Sequence, residues 1–275
     1  MIKSSVTISL VPGTDDGPFL FSHDLEECCQ QARRIGFDAV EVLPESAEQI
    51  DSDAFTKTLD KHNLKLAALG TGGGYRSSGL HLCDPDPERR RKAVEFISRI
   101  MEVAGAFGAL VIIGSMQGRI PPEIDRPTAE GWLREGLDSL GALAGKRDVN
   151  LLLEPLNRYE TNCVNRLEQG VALIESLVTE RIALLADLFH MNIEEQSIPD
   201  ALRSAGAHVR HVHFVDSNRR PAGCGHLDFQ VVAEALCEID FHGYASAEAL
   251  PHPTSREAAE QTMRSFKKFL TTVQT

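Results

Sequence analysis

Four ionisable side chains stand where apolar runs stop. Glu154 follows Leu151-Leu152-Leu153, Asp187 follows IALLA, His213 lies near the end of VRHVHFV, and Glu248 follows Ala-Ser-Ala. Successive members are 33, 26 and 35 residues apart. Each interval is about one strand-plus-helix unit, so a parallel barrel would deliver all four to one rim, at the C-terminal ends of its fifth to eighth strands. A lone acid after an apolar strand is often a helix cap or a solvated end. Several acids converging without a counter-charge repel one another and lose hydration. A divalent cation resolves that conflict. Three carboxylates and one imidazole favour a fairly hard ion with an open coordination sphere: Mn²⁺ fits best, and Mg²⁺ and Co²⁺ are admissible. A closed structural zinc site would draw on thiolates.

A second ring of polar residues surrounds the first. EPLNRYET (154–161) places Glu160 six residues beyond Glu154, and ADLFHMN (186–192) places His190 three residues beyond Asp187. DSNRRPAGCGH (216–226) adds Arg219 and Arg220, of which Arg220 reads as a surface residue. His211, two residues before His213, reads as a packed interior histidine. Asp228 reads as a helix cap, and the basic run Arg89–Lys92 as a solvated helix face.

The elements that must position these residues alternate. Strands are predicted at 5–11, 38–43, 64–69, 110–114, 149–154, 182–187, 209–215 and 244–249. Helices are predicted near 24–35, 51–62, 87–107, 128–146, 166–178, 198–205, 228–239 and 255–273. The helical readings rest on apolar residues stepping by three and four, as at Val94, Ile97, Met101 and Ala104, or at Ala259, Met263, Phe266, Leu270 and Val273. Start signals agree: Asp86-Pro87 joins a capping carboxylate to a first-turn proline, and Thr254 with Glu257 fits a capping box. Several strand runs are apolar almost throughout, as strands covered on both faces should be. Eight such units in one 275-residue chain predict a single α/β domain, a (β/α)8 TIM barrel spanning 1–275. An open doubly wound sheet is the alternative, but its first turn should carry G-x-G-x-x-G, and VPGTDDGPFLFSHD does not. The glycine run GTGGG (70–74) reads as a flexible loop over the barrel mouth.

Composition narrows the function. Lys and Arg number 28 against 40 Asp and Glu, a formal charge of −12, which argues against a phosphate backbone as partner. The longest apolar runs, such as ALVII (109–113), are far too short for a bilayer. Six cysteines without a CxxC pair, and no secretory segment ahead of the first strand, suggest reduced thiols in a cytoplasmic protein.

EPLNRYET, ADLFHMNIEE, HVHFVDSNRRPAGCGHLDF and SAEAL together resemble the ketose 3-epimerase branch of the xylose-isomerase-like barrels, which includes D-tagatose and D-allulose (psicose) 3-epimerases. The likeness is strongest from 150 to 250. It implies that Glu154, Asp187, His213 and Glu248 hold the metal and that Glu154 and Glu248 are the acid/base pair. It implies that Glu160, His190 and Arg219 contact the oxygens of a small sugar, and that the chain forms a homodimer or homotetramer. The reaction implied is C3 epimerisation of a ketose through an enediolate. One departure stands out: the first loop, PGTDDGPFLF, is less aromatic than in the family's ketohexose enzymes, and the single Trp132 lies in a predicted helix.

An aldose–ketose isomerase or an inosose-type lyase would use the same metal platform, on a free or phosphorylated sugar. The related barrel of abasic-site endonucleases needs further histidines on earlier strands, whereas the fourth strand here ends VIIGSM. A non-catalytic sugar-binding module is the remaining alternative.

Overall fold

The computed structural model describes residues 1–14 and 16–271. Eight parallel strands close a barrel: β1 (Lys3–Ser9), β3 (Ala39–Leu43), β4 (Lys65–Gly70), β5 (Leu110–Ile113), β6 (Leu151–Leu153), β7 (Ile182–Asp187), β8 (Val209–His213) and β9 (Tyr244–Ala247). Each pairs with its successor in that order, and β9 returns to β1. The two-residue strand β2 (Phe21–Ser22), which the sequence does not announce, pairs with β1 beside the barrel. The closed ring excludes the open sheet.

The helices α1 (Leu25–Ile35), α2 (Ser52–His62), α3 (Gly72–Ser78), α4 (Pro87–Phe107) and α5 (Arg126–Arg147) belong to the first half. The second half holds α6 (Leu167–Glu175), α7 (Leu188–Glu194), α8 (Ile198–Ala205), α9 (Phe229–Glu238) and α10 (Ser255–Phe269). Their ends follow the chemistry of their caps. Asp86 accepts from the Glu88 N–H with Pro87 in the first turn, and Gly108 ends α4 in the left-handed region at φ +61°. Thr254 accepts from the Glu257 N–H, and Asp228 from the Gln230 N–H. Such caps contribute about 1 kcal/mol each. The buried stripe of α4 runs Ala93, Ile97, Ile100, Met101, Ala104, so Val94 sits at its margin. Val273 lies outside the described residues. The basic run is less solvated than expected: Arg89 bonds Asp84 at 2.8 Å, and the Arg90 guanidinium lies 4.5 Å over the Trp132 ring.

Alternation along the strands sorts two cores. Val111, Ile113, Leu151 and Leu153 pack outward with the helices, whereas Ile112 and Leu152 join Ala68 and Leu185 in a separate inner cluster. Those four belong to β4–β7. Thr7 and Glu41 on β1 and β3, and His211 and His213 on β8, are buried polar residues. One half of the barrel is therefore lined with hydrocarbon, and the other holds hydrogen-bonding groups.

The glycine run is a wall, not the flexible loop expected. Residues 72–78 form α3. A Cβ on Gly73 would meet the carbonyl oxygens of Pro44 and Glu45 at 2.5 and 2.7 Å, and one on Gly74 would meet Phe96 at 2.8 Å. These glycines are small because α3 is seated hard against its neighbours.

Candidate active site

The four strand-end residues meet. Glu154 and Glu248 lie just beyond β6 and β9, and Asp187 and His213 are the last residues of β7 and β8, paired across the sheet. One donor atom from each of the four lies within 4.8 Å of every other. His213 Nδ1 is the centre, 3.1 Å from Asp187 Oδ2, 3.2 Å from Glu154 Oε1 and 3.4 Å from Glu248 Oε2. Asp187 divides its oxygens. Oδ1 caps α7 by accepting from the Phe189 and His190 N–H groups, which leaves Oδ2 to face His213.

The electrostatics show what the cluster lacks. Burial raises the pKa of Glu154, with Glu248 adding to it and His213 opposing. Burial works against the His213 imidazolium, yet Glu248, Glu41, Asp187 and Glu154 outweigh it and hold its pKa well above the ordinary histidine value. Asp187 is also penalised by burial, but His190, His213 and Arg219 keep it below the usual carboxylate range. Excess negative charge at one buried point draws protons when nothing else is bound. A set of three oxygen donors and one imidazole nitrogen fits a divalent cation in their place.

The second ring is also assembled. His190 is 1% exposed, and its Nδ1 accepts from the Asn157 backbone N–H at 3.2 Å and faces the Asn157 amide at 2.7 Å. A backbone N–H can only donate, so the ring proton sits on Nε2. That Nε2 is buried and has no hydrogen-bond partner among the described residues, with Asp187 Oδ2 3.8 Å away. Arg219 reaches Glu248 Oε2 at 2.8 Å and Glu160 Oε1 at 3.2 Å, with its guanidinium 4.7 Å over the Phe189 ring. Its Nε is likewise buried and has no hydrogen-bond partner among the described residues. Two donors are thus spare beside the ligand cluster.

The backbone positions these groups. Arg219 adopts φ +58°, left-handed for a bulky residue, fixed by its N–H on the Asp216 carbonyl and by the Leu250 N–H on its own carbonyl. Asp216, fully buried, accepts from the N–H groups of Ser217, Gly223 and Leu227 and so organises this loop. Arg220 is exposed, as expected.

A cavity of about 660 Å³ opens on the cluster. Glu154, His213, Glu248, Glu160, His190 and Arg219 line its inner side; Thr7, Phe19, Tyr75, Arg76 and Ser115 are among the residues lining the rest. Phe19 is what the first loop supplies as an aromatic wall.

Three contributors escaped the sequence reading. Asn157 sits inside the quoted EPLNRYET, three residues after Glu154. Gly114 lies one residue beyond the fourth barrel strand, and a Cβ there would collide with Glu154 Oε2. Glu41 is an acid inside the apolar strand AVEVL, bonded to His211 and His213. The one available signal was a lone charge in a run that should be wholly apolar. His211 is interior, as expected, though it is hydrogen-bonded and not merely packed.

The sequence profile of the xylose isomerase-like TIM barrel family matches residues 29–269. The D-psicose 3-epimerase of Agrobacterium fabrum (strain C58) is 29% identical over 218 residues, covering 78% of this chain and 75% of that protein. The 3-dehydro-D-guloside 4-epimerase of Escherichia coli (strain K12) is 29% identical over 247 residues, covering 84% and 89%. A solved L-ribulose 3-epimerase structure superposes with a TM-score of 0.84 over 100% of this chain and 96% of that one; at 22% identity the likeness speaks for the fold.

Proposed function

The chain belongs to the xylose isomerase-like TIM barrel family, and on that premise we propose that it is a divalent-metal-dependent sugar epimerase inverting C3 of a ketose. The observation that carries the reading is the convergence of three carboxylates on His213 Nδ1, with the unpartnered N–H groups of His190 and Arg219 beside them. Glu154, Asp187, His213 and Glu248 would hold the ion, and Mn²⁺ matches their donors best. Bound there, the ion supplies Lewis acidity to the substrate's carbonyl and hydroxyl oxygens.

The remaining work falls to side chains. One of Glu154 and Glu248 removes the C3 proton and the other returns a proton to the opposite face, through an enediolate. Burial makes ionised Glu154 a stronger base than a solvated carboxylate. The Arg219 bond to Glu248 Oε2 leaves Oε1 for proton transfer. His190 Nε2–H donates to a substrate oxygen and favours negative charge there, and Glu160 orients a hydroxyl. Arg219 is taken up by two glutamates, Arg76 at the cavity wall donates to the Gly13 carbonyl, and Arg220 is outside the cavity lining, so the arginines favour an unphosphorylated sugar.

A panel of free and phosphorylated ketoses with Mn²⁺ in D₂O, read by NMR, tests the reaction. A C3 epimer carrying deuterium at C3 is expected. A displaced carbonyl would make the chain an aldose–ketose isomerase, and loss of water a lyase. Chelation should abolish turnover and Mn²⁺ restore it; full activity in metal-free protein would refute the metal role. We place the chain in the cytoplasm as a homodimer or homotetramer. Cys28, Cys29, Cys83 and Cys163 are buried free thiols, and no described helix is long and apolar enough to cross a membrane; sedimentation would test the assembly.

A further inference from the structure

Behind the ligand cluster lies a second buried group that the reaction as drawn does not use. Glu41 is 5% exposed and pairs across the sheet with Thr7 and Ala68. Its Oε2 is 2.7 Å from His211 Nε2, and its Oε1 is 3.1 Å from His213 Nε2. His213 Nδ1 faces the other way, toward the three carboxylates.

A neutral imidazole carries one N–H and one lone pair. If the lone pair is to face a cation at Nδ1, the proton must sit on Nε2. A buried N–H needs an acceptor, and among the described residues Glu41 Oε1 is the one in reach. We propose that Glu41 is a positioning residue of the metal centre. It fixes His213 in the Nε2–H form, aims Nδ1 at the shared point and raises the basicity of the ring. His211 serves Glu41 in turn: its Nε2–H on Oε2 leaves neither carboxylate oxygen unpaired. This inference rests on the reading of the first cluster as a metal site.

Glu41, His211 and His213 also place donor atoms within 4.8 Å of one another, as a second ion would need. Such an ion would take the Nε2 of His213 while its Nδ1 served the first, stripping the ring of its only proton. The hydrogen-bonded arrangement avoids that cost.

Titration of metal-free wild type, Glu41→Ala and Glu41→Gln with Mn²⁺ and Co²⁺ decides the matter, with circular dichroism and melting of the metal-free proteins as the check on folding. Wild type is expected to take one ion per chain. Glu41→Ala should bind about 10–100-fold more weakly and show a changed visible Co²⁺ spectrum. Glu41→Gln, whose amide oxygen can still accept from His213, should fall between, about 3–10-fold weaker than wild type. If the alanine variant does not fold, the isosteric glutamine variant decides. Unchanged affinity in the folded variants would overturn the role of Glu41 and leave the metal centre standing. A second wild-type ion lost on substituting Glu41 would replace it with a two-ion site. Failure of wild type to bind any ion would remove the metal centre and this inference together.

Discussion

Asn157 holds His190 through two donors at once, its backbone N–H at 3.2 Å and its side-chain amide at 2.7 Å from the same Nδ1. The backbone bond sets the tautomer, and the amide steadies the ring. The same amide also reaches Glu160 Oε1 at 3.1 Å, so one residue spans two of the proposed substrate contacts.

Asn157→Ala keeps the backbone donor and removes the amide. The lost side chain makes three hydrogen bonds, to His190 Nδ1, to Glu160 Oε1 and from the Tyr159 N–H; one such bond is worth about 3–10-fold, and we expect kcat/KM to fall by at least that factor. Mn²⁺ affinity, measured by calorimetry, should stay within about twofold of wild type, because the amide touches no proposed ligand. An equal fall in metal affinity would show that Asn157 acts elsewhere.

Glu154→Gln and Glu248→Gln should each lower turnover by about 10²–10⁴-fold, the range for a lost acid or base. The two variants should differ in deuterium exchange, since the proposed reaction assigns each glutamate to one side of the sugar. Metal content measured alongside separates lost ligation from lost proton transfer; wild-type turnover with metal bound would remove the glutamate from the mechanism.

Gly114→Ala tests the space beside Glu154 Oε2. The new methyl must displace that carboxylate. A misplacement of about 1 Å at a reacting group costs on the order of 10²-fold in rate. The variant should fold, since the change is one methyl at the cavity wall, and it should lose activity and metal affinity together. Retained activity would mean that Glu154 has room to move.

Metal affinity should rise with pH. His213 binds its proton more firmly in the folded, metal-free chain than in the unfolded one, and so does Glu154. The stability each contributes is full below its unfolded pKa, the ordinary 6.5 for His213 and 4.5 for Glu154, and is lost as pH rises through its raised folded value. Asp187 and Glu41 are shifted downward and act in the opposite sense, losing their contribution only in acid below about pH 4. As pH rises above the ordinary histidine value of 6.5 the metal-free protein should therefore lose stability, and Mn²⁺ should bind more tightly, by up to about tenfold per pH unit for each proton displaced. Calorimetry in buffers of different ionisation enthalpy counts those protons. A pH-independent affinity would contradict the crowding of charge at His213.

The four strand-end residues were legible because a parallel barrel converts chain spacing into position: a polar residue at the end of an apolar strand has one rim to occupy. Glu41 was hidden for the converse reason. Mid-strand positions face the interior, where an acid is found only if partners satisfy it, and those partners are some 170 residues away in His211 and His213. The helix α3 was misread because glycine weakens a helix by propensity, about 1 kcal/mol per residue against alanine. Close packing against Pro44, Glu45 and Phe96 overrides that local preference. The α7 helix, Leu188–Glu194, lacks a long apolar period and so is not legible in the sequence; its start depends on the cap from Asp187, whose other oxygen faces His213.

The seating of α3 bears on how this enzyme could change its diet. Tyr75 and Arg76 reach the cavity from a backbone that has no slack to yield. Lengthening or loosening that stretch would unseat the scaffold beneath. New substrates are better admitted by exchanging those two side chains, so that selection, natural or in the laboratory, can retailor the entrance one residue at a time.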